Sequence, residues 1–86
     1  MGNMLLVYKL YPEDIESIAK IEEAVKHVKS GKLKQVKREP IAFGMELVMC
    51  AFILPDKVDG VVEKLEAELK RIPHVNEVES AGMTLL

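Results

Sequence analysis

The stretch from Met45 to Leu54 constrains this chain more than any other, because Glu46 is the only polar residue in it. Bounded by Gly44 and Pro55, it has the length of a strand, and its nearly continuous apolar character fits a central one. A central strand needs neighbours. Lys32 to Glu39 supplies one, mixing Leu33 and Val36 with Lys32, Lys34, Lys37 and Arg38. That composition suits an exposed edge strand whose charges discourage association with other chains. Pro40 to Gly44 breaks the run between the two, which closes them into a hairpin.

The rest of the chain brackets this hairpin. Met4 to Leu10 is apolar, of strand length, and stops near Pro12, a residue suited to the first turn of a helix. From Glu13 onward, Ile15, Ile18, Ala19, Ile21, Val25 and Val28 mostly follow helical spacing, with Lys26 and Lys29 in the last turn and Gly31 as the stop. Pro55 and Asp56 open a second helix with Asp56 as N-cap, carrying Val58, Val61, Val62, Leu65, Leu69 and Ile72 on one face and limited by Pro73. Val75 to Glu79 completes the pattern as a weaker fourth strand. Acid and base at four-residue spacing (Glu16 with Lys20, Glu22 with Lys26, Glu66 with Lys70) read as solvated helix faces. The order strand, helix, strand, strand, helix, strand predicts an α+β, ferredoxin-like split βαβ sandwich: a four-stranded antiparallel sheet with two helices on one face. At 86 residues, one domain over positions 1–86 is expected.

Composition narrows the function. The formal net charge of −2, with acids and bases interleaved, lacks the basic excess of a nucleic-acid binder. No uncharged run approaches a membrane span, and Met1 to Tyr8 lacks the basic region and apolar length of a signal peptide, so a cytoplasmic protein is expected. Cys50 has no cysteine partner and sits within the apolar run, which fits a buried structural thiol. His27 and His74 have no neighbouring pattern that suggests a triad or a metal site. The five glycines are scattered and begin no phosphate-binding fingerprint. Neither a catalytic centre, a cofactor nor a metal is expected. Fold alone does not choose among the functions hosted by this architecture. An RNA-recognition module would need a stacking platform that Tyr8 and Phe52 do not form; a small-molecule-binding regulatory domain of ferredoxin-like fold stays open.

Pro40-Ile41-Ala42-Phe43-Gly44-Met45-Glu46-Leu47, followed after the apolar strand by Pro55-Asp56-Lys57-Val58, resembles the guanine-exchange domain of the elongation factor 1-beta family. In that family an aromatic-glycine pair follows a proline before the third strand, and aspartate-lysine-valine opens the second helix. Glu79-Ser80-Ala81-Gly82-Met83-Thr84-Leu85-Leu86 is similar to the family's short C-terminal tail, so the likeness covers essentially the whole chain. Without the N-terminal extensions of eukaryotic members, it resembles the stand-alone archaeal form. The resemblance implies a guanine-nucleotide exchange factor that promotes GDP release and GTP loading on elongation factor 1-alpha during translation elongation, without bond-making chemistry of its own. It implies docking with one end of the sheet, through Phe43, Gly44 and Met45 of the aromatic loop and Met83, Thr84, Leu85 and Leu86 of the tail. Two departures stand out. Eukaryotic members carry a lysine next to last, reaching toward the magnesium and phosphate region of the GTPase, where this chain has Leu85. They also tend to be basic where this chain has Glu46-Leu47.

Overall fold

The computed structural model describes residues 2–86. Its elements are β1 (Asn3–Pro12), α1 (Ile18–Val25), β2 (Lys32–Pro40), β3 (Glu46–Pro55), α2 (Val61–Lys70) and β4 (Val75–Leu85), with 3-10 turns at Ile15–Ser17 and Ala42–Gly44. The sheet order is β2-β3-β1-β4 and every neighbouring pair is antiparallel. This is the expected ferredoxin-like arrangement. The most apolar segments, β1 and β3, occupy the centre, and the charged segments take the edges.

Alternation along the central strands divides the two faces of the sheet. Met4, Leu6, Tyr8 and Leu10 of β1 and Val48, Cys50, Phe52 and Leu54 of β3 are buried in one cluster with Ile18, Ile21 and Val25 of α1 and Leu65 and Leu69 of α2. Truncating a side chain such as Phe52 to alanine here would cost about 3–5 kcal/mol. Cys50 lies fully inside, its thiol 3.8 Å from the Tyr8 carbonyl, and burial pushes its pKa up to about 12. It is the structural thiol expected. Tyr8 satisfies its buried ring by donating its hydroxyl to Glu66 at 2.9 Å, and Glu22 accepts from Arg38 of β2 at 2.7 Å. Two of the helix acids read as partners of lysines one turn on therefore tie the helices to the sheet instead.

Several boundaries differ from expectation. Pro12 ends β1 rather than starting a helix: a register shift between Tyr11 and Pro12 places it at an irregularity, where its missing N–H is tolerated. Helical structure begins after Asp14, which accepts from the Ser17 amide at 2.9 Å and the Ser17 hydroxyl at 2.7 Å. α1 also closes early, because the amides of Lys26, His27 and Val28 bond the carbonyls three residues back. Gly31 is therefore no helix stop. A Cβ there would sit 3.0 Å from Leu54 Cδ2 and 3.3 Å from Phe52 Cβ, so close approach to β3 is its role. Asp56 caps nothing, since α2 starts at Val61 behind Gly60, and Val58 lies outside the helix and exposed. The fourth strand runs to Leu85, six residues past its expected end at Glu79, and takes in the tail.

Candidate functional site

The β2–β3 connection holds the first group of expected site residues. Ile41 donates its amide to the Met45 carbonyl at 2.8 Å, and Met45 donates to Ala42 at 3.3 Å, a closed five-residue turn. Closing it in so few residues forces two successive left-handed positions, Phe43 at φ 62° and Gly44 at φ 76°. Glycine meets that geometry without strain, and a Cβ on Gly44 would touch nothing within 4 Å, so the requirement is conformational and not one of space. Phe43 accepts it at a cost of about 1 kcal/mol or more. Its ring is 99% exposed. The ring points into solvent and does not fold back onto the core. Met45 is half-buried at the root of the turn.

Around this turn the surface is charged and tied down. Arg38 lies 2.7 Å from Glu22 and 3.8 Å from Glu46, which fixes the hairpin base against α1. The Arg38 hydrogen bond holds the Glu22 carboxyl below its ordinary range. Glu13 donates its amide to the His74 carbonyl at 2.9 Å and faces His74 Nδ1 at 3.4 Å, joining the β1 and β4 ends beside the turn. Asp14 is held below the usual carboxylate range by its bond from the Ser17 hydroxyl. Of the Glu46-Leu47 pair that departs from the family pattern, Leu47 is buried and offers nothing to a partner, and Glu46 is engaged with Arg38.

The second group lies elsewhere. Met83, Thr84 and Leu85 pair with Leu6, Leu5 and Met4 of β1, and the Leu86 amide donates to the Asn3 carbonyl at 2.8 Å. The tail is thus neither loose nor laid over the open face of the sheet: it is the outer edge strand. Pairing puts Met83 and Leu85 on the helix-packed side and Thr84 on the open side. Yet Met83, Leu85 and Leu86 are 61%, 67% and 64% exposed, so their apolar side chains are not absorbed into the core. Val58, exposed in the β3–α2 connection, is a further apolar residue at this end, and helical spacing misassigned it to a buried face.

The strand register corrects the single docking end. Pro40 pairs with Glu46 beside the Phe43 turn, whereas the other end of β3, Pro55, pairs with Asn3, the neighbour of Leu86. From Glu46 to Pro55 the strand advances about 30 Å at 3.3–3.4 Å per residue. The molecule is 43 Å along its longest axis. Phe43 and the C-terminal residues therefore mark opposite ends.

Residues 5–86 match the family model described as the EF-1 guanine nucleotide exchange domain. The curated elongation factor 1-beta of Ignicoccus hospitalis is 36% identical over 84 residues, covering 92% of this chain and 87% of the relative. That of Metallosphaera sedula is 33% identical over 91 residues, covering 100% and 98%, and that of Methanospirillum hungatei is 31% identical over the full length of both. Among solved structures, the crystal structure of PH0061 superposes with a TM-score of 0.69 at 15% identity, over 99% of this chain and 52% of that one. The solution structure of the C-terminal domain of the MgtC protein from Mycobacterium tuberculosis does so at 0.58 and 12% identity, over 100% and 88%; both are likenesses of fold. The class of protein is a small α+β exchange domain of the translation apparatus. The chain belongs to the EF-1 guanine nucleotide exchange domain family. No helix among the described residues is long and apolar enough to cross a membrane.

Proposed function

We propose that this protein promotes GDP release from elongation factor 1-alpha in the cytoplasm by engaging two separate parts of that GTPase at once, Phe43 anchoring one and Met83 to Leu86 reaching the other. The separation of the two exposed apolar groups by about the length of a ten-residue strand carries this reading. A single pocket could not hold both.

Exchange needs no bond-making chemistry in the factor. A factor that binds the nucleotide-free GTPase more tightly than the GDP-bound one weakens GDP by the same ratio, because the coupling is reciprocal. About 4 kcal/mol of such coupling changes affinity roughly a thousandfold. Phe43 supplies binding energy: the closed turn fixes its backbone, and the fully exposed ring buries a large apolar area on docking. The edge strand supplies position. Its backbone is bonded to β1, so Leu85 and Leu86 arrive on a rigid element, and their aliphatic side chains act by displacing partner groups rather than by the charge that eukaryotic members bring with lysine. GTP then rebinds and expels the factor.

The test is the release of fluorescent GDP from an archaeal elongation factor 1-alpha under excess unlabelled nucleotide, with this protein present well below the GTPase concentration. Many GDP molecules released per molecule of the protein is the expected outcome. No acceleration of a GTPase shown to bind and hydrolyse GTP would refute the proposal.

A further inference from the structure

The face of the sheet that carries no helix has an internal order that the exchange reading does not use. The pairing register lines up four residues across it at each level: Lys37, Met49, Lys9 and Glu79 in one row, and Gln35, Ala51, Val7 and Gly82 in the next. Toward the C-terminal end follow Lys32, Ile53, Leu5 and Thr84. Apart from Lys9, which is paired with Glu39 of its own chain, the middle of the face is apolar, while Lys32 and Lys37 stand on the β2 margin and Glu77 and Glu79 on the β4 margin. A shallow depression of about 120 Å³ lies over the small Ala51, beside Val7 and Met49.

We infer that this face is a self-complementary interface on which two copies of the chain pack sheet to sheet, with β2 of each over β4 of the other. A two-fold axis running along the strands makes that apposition. It sets Lys37 against Glu79 of the second copy, and Glu79 against its Lys37, and lets each Val7 enter the depression over the other copy's Ala51. A two-fold axis across the strands would bring β2 against β2 and β4 against β4, stacking lysine on lysine and glutamate on glutamate. Charge therefore selects one of the two symmetric arrangements. The remaining acid row, Glu39 and Glu77, meets like charge at the hairpin end, where each Glu39 already has Lys9 of its own chain at 3.8 Å. Because the axis follows the strands, both Phe43 turns emerge at one end of the pair and both C-termini at the other, clear of the interface.

Four strands spaced about 4.8 Å apart, over three to four rows, give a face near 500 Å² per copy, or about 1,000 Å² in all, at the lower limit for a specific interface. The dimer is accordingly weak and concentration-dependent. Sedimentation equilibrium of the full chain from about 10 µM to about 1 mM is the measurement, spanning the affinities such small interfaces reach. The chain is expected to pass from monomer to dimer over this range. Lys37→Glu and Glu79→Lys should each weaken self-association at least tenfold while leaving the circular dichroism of a folded domain. Mixed together, the two variants should associate with each other at least as well as the wild type, because both contacts between positions 37 and 79 are then opposite in sign. Within one chain Lys37 and Glu79 lie three strand spacings apart, about 14 Å, too far for an internal pair to produce this rescue. A wild-type chain that stays monomeric to 1 mM overturns the inference, as does a dimer that the two single substitutions leave intact or that their mixture fails to restore. None of these outcomes depends on nucleotide exchange.

Discussion

The two ends of the sheet are built on opposite principles. At the hairpin end a five-residue turn bends the backbone into successive left-handed positions and holds one aromatic ring almost entirely in solvent. At the other end no turn is involved: β4 runs on along β1 to Leu85, and its apolar side chains are exposed because they stand on an edge that the helices do not cover. Local backbone geometry controls the first, so under the proposed function changes there reach docking without disturbing the core. Long-range pairing controls the second, so under the same proposal changes there touch both fold and exchange. The ends can therefore be separated by experiment.

Removing Met83 to Leu86 is the harshest way to break the contrast. It deletes three β1–β4 pairs and uncovers Met4 and Leu6. Lost ladder bonds at about 0.5–1.5 kcal/mol each and lost burial should lower unfolding free energy by about 2–4 kcal/mol in urea titrations, and GDP release should slow about a hundredfold. Phe43→Ala should reverse this pattern: binding to the GTPase by calorimetry weakens by about 2–3 kcal/mol, roughly thirty- to a hundredfold, with the melting temperature unchanged. Gly44→Ala sharpens the comparison, since φ 76° costs a residue with a Cβ about 1 kcal/mol, a fall of a few degrees in melting temperature, and tilts the Phe43 ring with it.

The smallest effect is one of pH. Glu68 of α2 accepts from the Ser30 hydroxyl at 2.5 Å and from the amides of Ser30 and Lys29 at 3.0 and 3.1 Å, pinning the α1–β2 connection at the C-terminal end. Partial burial pushes its pKa up, but these bonds together outweigh it and hold the group below the ordinary glutamate range. A carboxylate depressed in the folded state adds stability that is present above the ordinary range and lost as pH falls through the lowered value. Melting temperature should therefore decline on acidification below the ordinary carboxylate range, and Glu68→Gln should flatten part of that decline.

How much the sequence disclosed also differs between the two ends. The break at Pro40 to Gly44 was legible because a turn is short-range and its proline and glycine lie within a few positions, whereas Phe43 was singled out only by the resemblance to the family. The start of the C-terminal strand was legible, but its continuation past Glu79 was not. Ser80, Ala81 and Gly82 interrupt the alternation, since a bulge between Val7 and Tyr8 on the partner register absorbs an extra residue there, and the pairing that holds Met83 to Leu85 lies more than seventy residues away in sequence. Val58 misled for a related reason: helical spacing began three residues before the helix did, and nothing local marked Gly60 as its true boundary. The central strands and both helices followed from apolar pattern, as a buried face writes itself into sequence. The relation between the ends followed only from register.

The most direct test of the two-ended account is the rate of GDP release from elongation factor 1-alpha, measured across a range of exchange-factor concentrations for the wild type, Phe43→Ala and Leu85→Ser. The account predicts that Phe43→Ala raises the half-saturating concentration at least about tenfold with the maximal rate kept within about twofold, and that Leu85→Ser does the reverse. With the sites about 30 Å apart, the double variant should show the two losses added to within about 0.5 kcal/mol. If both substitutions move the same parameter, or if Leu85→Ser changes neither, the division of labour between the two ends is wrong.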